Sequence, residues 1–324
     1  MKDNYVYAVA RIRVKEKTLL TDADIASLAG MSDVNSVMGY LSDRGWGTAD
    51  TDKDPDAMLA AEEQKNLDLM RELKIDPSVF DILSYPQIFH NLKSAIKQVC
   101  TAEDYSQIGI FYDLEKYGGR EMVRIIQEKD YNALPESMRQ VAQDAFETML
   151  STRDGQLCDI MVDRACLMAM TEAGRKEKNK VIRDYVRSQV SIADIRIAVR
   201  AERCGKSADF LKKALAPSED FNCSQLAAAA SRGEEDLLKF LSGNGFGGAS
   251  EALGKSLSAF ECWCDNQQIE AIKPQKRVIT SIGPVVAYYL ARENEIRTVR
   301  IILTAKANGF SEDSIRERVR EMYV

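Results

Sequence analysis

The chain has 324 residues, 45% of them hydrophobic, and its 44 basic and 50 acidic residues leave a net charge of −6. That balance excludes a global basic field of the kind that draws nucleic acid, and the apolar content is too high for a disordered chain. Seven cysteines, at 100, 158, 166, 204, 223, 262 and 264, fall into no paired pattern and fit reduced thiols better than a disulfide framework. Nowhere do about eighteen uncharged apolar residues run together, and the first residues carry no signal-like apolar core. A cytoplasmic protein without direct membrane insertion is expected, long enough for two or three modules.

Taken in chain order, nearly every segment reads as amphipathic helix, because prolines number only seven and sustained alternation of apolar with polar residues is scarce. The expected class is all-α. Tyr5 to Val14 alternates at its end, where Ile12 and Val14 flank Arg13, yet Tyr5, Val9 and Ile12 also share one helical face, and helix is the expected form. Next, Val37, Met38, Tyr40 and Leu41 run at helical spacing into the turn Ser42-Asp43-Arg44-Gly45-Trp46-Gly47. Two hundred residues later Leu237, Leu238, Phe240 and Leu241 run into Ser242-Gly243-Asn244-Gly245-Phe246-Gly247.

A second element recurs three times. Asn91-Leu92-Lys93, Asp194-Ile195-Arg196 and Glu295-Ile296-Arg297 each place a polar residue, an aliphatic residue and a cation inside a long helical pattern, at intervals of about one hundred residues. The apolar stripes around them are Tyr85, Phe89, Leu92, Ile96 and Val99, then Ile182, Tyr185, Ile192, Ile195 and Val199, then Val285, Tyr289, Ile296, Val299 and Leu303. Breaks at Gly118-Gly119, Asp154-Gly155, Ala216-Pro217-Ser218 and Gly283-Pro284 are short turns. Three similar helical modules with pseudo-threefold symmetry are expected, at 1–105, 106–207 and 208–324, without free hinges between them.

Several fragments approach familiar chemistry and fall short. Gly254-Lys255-Ser256 lacks the glycine five residues before Gly254 that a phosphate-cradling loop needs, since position 249 is Ala, and Gly205-Lys206-Ser207 has Arg200 in that place. Cys262 and Cys264 point to different sides of a helix and have no second pair to complete a zinc site. His90 is the sole histidine, which leaves acid–base chemistry to dispersed carboxylates. Asp159 and Asp163 share a helical face but have no further ligands, so a solvated or interface-facing pair is the expectation. Catalytic, cofactor-binding and metal-ligating residues are therefore all expected to be absent. In the third stripe Glu293 falls between Tyr289 and Ile296, where a buried carboxylate needs a cation or several amide donors; Arg292, Arg297 and Arg300 are the candidate cations, and an ordinary ion-pair face on a partly exposed helix is the alternative.

The run Gly283 to Arg297, continuing through Arg300-Ile301-Ile302-Leu303 to Gly309, resembles the C subunit of archaeal and bacterial V/A-type rotary ATPases, known as the d subunit in eukaryotic vacuolar enzymes. Tyr5 to Arg13, Phe89 to Lys93 and Asp154 to Asp159 add to the likeness, which covers nearly the whole chain. The resemblance implies a funnel of three similar helical domains, peripheral to the membrane, that seats the central shaft (D- and F-type subunits) on the rotor ring of proteolipid subunits. It also implies a non-catalytic coupling role in proton or sodium transport. On that reading the partner contacts lie on polar walls, and Asn91, Lys93, Arg196, Arg292, Glu293, Asn294, Arg297 and Arg300 are the residues expected there. An α-helical repeat-like adaptor that binds a peptide or helix in its concavity is the alternative.

Overall fold

A computed structural model describes residues 5–51, 53–101 and 111–324, and every regular element among them is helical. The ambiguous amino-terminal segment is a helix, Val6–Glu16, because Val9 and Ile12 then lie together and are buried while Arg11 and Val14 face outward. Helix starts follow local chemistry. Thr21 and Asp24 form a reciprocal capping box ahead of Asp22–Gly30, and Asp54 caps Pro55–Glu72, whose proline occupies the first turn, where its missing N–H costs nothing. Asp154 caps Gly155–Lys176 in the same way.

The chain forms two compact units, each assembled from separated stretches. The first comprises Met1–Pro77, Asn179–Ser188 and Gly245–Val324. Its axis is the 25-residue helix Gly283–Ala307, which is buried on most of its faces. Val6–Glu16, Asp22–Gly30, Val34–Asp43 and Pro55–Glu72 pack around that axis. Leu28, Val37, Leu41 and Met58 meet Val299 and Ile302 there in one apolar core. Such interdigitation at near-crystalline density resists deformation. The final residues lie across this unit: the Met322 N–H donates to Asp22 Oδ1 at 2.8 Å, Arg320 Nε pairs with Asp265 at 2.7 Å, and Met322 and Tyr323 are buried.

The second unit comprises Ser78–Lys178 and Gln189–Asn244. Tyr85–Thr101 packs against Gly119–Glu128, Glu136–Thr152 and Gly155–Lys176, and Phe89, Leu92, Ile96, Met122 and Ile125 are fully or nearly fully buried. The helix Lys180–Arg203 gives its opening residues to the first unit and the remainder to the second, which continues through Ala208–Ala214, Cys223–Arg232 and Glu234–Gly243.

The repeated glycine turn holds through its first glycine and then diverges. Gly45 and Gly245 both adopt left-handed backbone, φ +82° and +87°, each just beyond a helix. After the first copy the Trp46 N–H closes back on the Leu41 carbonyl at 3.0 Å, and a loop follows until Asp54 caps the next helix. After the second, helix resumes at once as Gly247–Lys255, a stretch without proline. The near-miss phosphate motifs are helix ends: Ser256 caps Leu257–Ile272 by accepting the Ala259 N–H, and Ser207 caps Ala208–Ala214.

Candidate functional site

The recurrent triplets supply the most ordered polar chemistry in the protein, and in each of them the polar member is buried. Asn91 and Asp194 have no exposed surface and Glu295 is 1% exposed. A buried polar group is tolerated when its atoms find partners. Here each one takes the backbone N–H of a segment leading into another helix, and the three contacts act as clasps.

In the first clasp Asn91 Oδ1 accepts the Tyr112 N–H at 2.8 Å, while its Nδ2 donates to the Tyr112 and Tyr117 carbonyls, both at 3.0 Å. A neutral amide is suited to this double grip because it donates and accepts at once. Tyr112 also stands edge-on to the ring of His90, the sole histidine, at 5.1 Å.

In the second, Asp194 Oδ1 accepts the Ala216 N–H at 3.0 Å. The other end of the same peptide unit, the Leu215 carbonyl, accepts from Arg164 Nε at 3.0 Å, and the Cys223 thiol donates to the Ala216 carbonyl at 2.9 Å. Burial pushes the Asp194 carboxyl up to about 7, against the opposing pull of the Ala216 amide and of Arg164.

In the third, Glu295 Oε1 accepts the Leu20 N–H and its other oxygen pairs with Arg292. Arg292 also pairs with Glu62, so one guanidinium bridges two carboxylates, and it stacks 4.6 Å from the centre of the Trp46 ring. Glu62 is held further by Lys65 Nζ at 2.6 Å and by the Gly47 N–H at 2.7 Å. Burial raises the Glu295 carboxyl above the usual range even with Arg292 and the Leu20 amide opposing it. For Arg292 burial works against the charge, but Glu295 and Glu62 outweigh it and the guanidinium stays above its ordinary value.

These contacts decide where the eight residues expected on a partner-facing wall are found. Asn91, Arg292 and Asn294 are interior, and Asn294 Nδ2 donates to the Glu321 carbonyl at 3.0 Å. Lys93 is half-buried and grips both oxygens of Asp163 at 2.8 and 3.0 Å, and Lys97 pairs with Asp159 at 2.6 Å. The two carboxylates that share a helical face thus meet two lysines with the same spacing on Tyr85–Thr101. Arg196 is half-buried. Glu293 is also half-buried, takes a 3.3 Å hydrogen bond from Asn66 Nδ2, and has its carboxyl raised by burial. Of the eight, Arg297 and Arg300 are exposed, and Arg300 pairs with Glu63 at 2.9 Å. The cation serving the buried carboxylates is Arg292; sequence reasoning missed its partner Glu62, which stands on another helix 230 residues away.

Among the described residues no helix is long and apolar enough to cross a membrane, and no group of three or more His, Cys, Asp or Glu side chains is placed to hold a metal ion.

Comparison with known proteins gives one consistent result. The family described as ATP synthase (C/AC39) subunit matches residues 8–318. The chain is similar to the C subunit of the V-type sodium ATPase of Enterococcus hirae, at 24% identity over 84% of this chain and 84% of that one. It is similar to the C subunit of the A-type ATP synthase of Methanocaldococcus jannaschii, at 22% identity over 96% and 85% of the two chains. The same A-type subunit from Halorubrum lacusprofundi is 26% identical over 71% and 70%.

Proposed function

The chain belongs to the ATP synthase (C/AC39) subunit family, and from that membership we propose that it is the non-catalytic central-stalk socket of a V/A-type rotary ATPase. In this role it seats the rotating shaft on the proteolipid ring and passes torque between them during proton or sodium transport. The observation that carries the reading is the family match over residues 8–318, nearly the whole chain. Three kindred modules, 1–105, 106–207 and 208–324, arranged as a funnel would give the shaft a polar wall to seat against.

The clasps support this reading physically. A torque-bearing part must not yield locally, and each clasp ties a loop backbone to the middle of a long helix through a hydrogen bond to a buried side chain. A bond of that kind is costly to open, because the buried polar side chain would be left unpaired. Exposed charges at Arg297 and Arg300 suit the partner side, where distributed polar contacts fix rotational register.

Affinity purification of the tagged chain from detergent-solubilised membranes tests the proposal. Co-recovery of shaft subunits and proteolipid ring in fixed stoichiometry is the expected result. An intact rotary complex that consistently lacks this chain would overturn it. Saturable micromolar ATP binding to the isolated chain, measured by calorimetry, would argue against a non-catalytic part.

A further inference from the structure

The second unit holds a half-open cleft of about 180 Å³ that the clasps do not use. Its floor is apolar, built from Ile160, Ile197, Ala201, Phe210 and Ala214. A cavity of roughly 150 Å³ with such a lining admits a benzene ring, so this cleft has room for one leucine- or phenylalanine-sized side chain.

The rim is cationic. Arg200 and Lys206 stand at its edge, with Lys206 Nζ donating to Gln156 Oε1 at 2.9 Å and lying 5.2 Å from the centre of the Phe210 ring. Asp163, the carboxylate in the lining, is already neutralised by Lys93. From residue 196 to residue 213 the sequence carries six cations and two carboxylates, a local +4 within a chain of net charge −6. An apolar hollow with two cations at its edge selects an apolar group flanked by negative charge, the burial supplying affinity and the charges supplying register.

We infer that this cleft docks an acidic segment of a partner subunit, one that inserts a single leucine- or phenylalanine-sized side chain between flanking carboxylates. The inference rests on the rotary-complex reading for the existence of the partner; the chemistry of the cleft stands apart from it.

The cleft carries its own reporter. Cys204 lines it and is the exposed thiol among the seven cysteines, so its rate of modification by a maleimide reads occupancy, with Cys204→Ser setting the background. On the isolated full-length chain, a blocked pentapeptide of four glutamates around a central phenylalanine should slow that modification at least tenfold at about 1 mM, which corresponds to a Kd of about 0.1 mM or tighter. Peptides with glutamine for glutamate, or alanine for phenylalanine, should protect at least tenfold less well, and Arg200→Glu with Lys206→Glu should abolish protection. In the purified complex Cys204 should be shielded likewise, and a photo-crosslinker tethered there should map to an acidic segment around an aliphatic or aromatic residue.

Failure of the acidic peptide to protect Cys204 would overturn the inference. So would peptide protection accompanied by full Cys204 reactivity in the assembled complex, or shielding by anionic lipid vesicles in place of the peptide. Peptide protection in a chain that joins no rotary complex would refute the proposed function and leave the ligand chemistry of the cleft in place.

Discussion

Glu295 in the first unit and Asp194 in the second perform the same task, each holding one backbone N–H from the middle of a long helix, but their electrostatic surroundings are opposite. Glu295 shares a guanidinium with Glu62, and the whole group is sealed beneath Trp46. Asp194 has the peptide dipole and a guanidinium occupied with the neighbouring carbonyl, and its carboxyl rises to about 7. Asn91, which carries no charge, shows that the grip itself needs none. The clasp is therefore a hydrogen-bonding requirement, and charge is an addition that each site must offset, with a cation in one case and, below about pH 7, a proton in the other.

The strongest way to break the comparison is to remove the cation. Arg292→Leu leaves buried Glu295 without a counter-charge and Glu62 with Lys65 alone, and should destabilise the first unit by about 3–5 kcal/mol in urea denaturation. Glu62→Gln with Glu295→Gln in that background should restore part of the loss. A protein as stable as the parent would mean that the network is not the seal it resembles.

The next test removes the proton. The folded-state value for Asp194 lies above the roughly 3.9 of an unfolded aspartate, so the folded chain keeps a proton that the unfolded chain has released. Stability from this site is full below about pH 4, falls as pH rises, and levels off above about pH 7, with a total on the order of 4 kcal/mol. Asp194→Asn should flatten that part of the stability profile while Asn91→Asp should introduce a similar slope; denaturation midpoints from pH 4 to 8 would show both.

The smallest expected effect sharpens the neutral case. Asn91→Ala orphans the Tyr112 N–H and the Tyr112 and Tyr117 carbonyls, at about 1–3 kcal/mol, and should do so equally at pH 5 and pH 8. Hydrogen exchange at the Tyr112 amide should quicken in step.

Much of this was legible beforehand, for reasons that differ by residue. Helix content followed from apolar periodicity and scarce proline, and the three triplets pointed to related helices because the polar residue sits beside a stripe that must be buried. What a polar side chain does once buried was not legible: Asn91, Arg292 and Asn294 read as a surface because hydrophilic residues usually are one, and their interior partners lie on other segments of the chain. The pairing of Lys93 and Lys97 with Asp163 and Asp159 could have been found, since both pairs repeat every four residues with opposite sign. The cleft beside Phe210 could not, because its floor comes from separated helices whose spacing only packing reveals.

Because the first unit draws its core from both ends of the sequence, its assembly during synthesis is inverted in time. Leu28, Val37 and Leu41 leave the ribosome long before the Val299 and Ile302 that cover them. At about 5–20 residues per second the wait is tens of seconds, while the second unit, complete by residue 244, already has all its parts. Until then the early helices lack the core that covers them, and slowing translation between residues 77 and 283 should expose this chain to proteolysis at its amino-terminal end first.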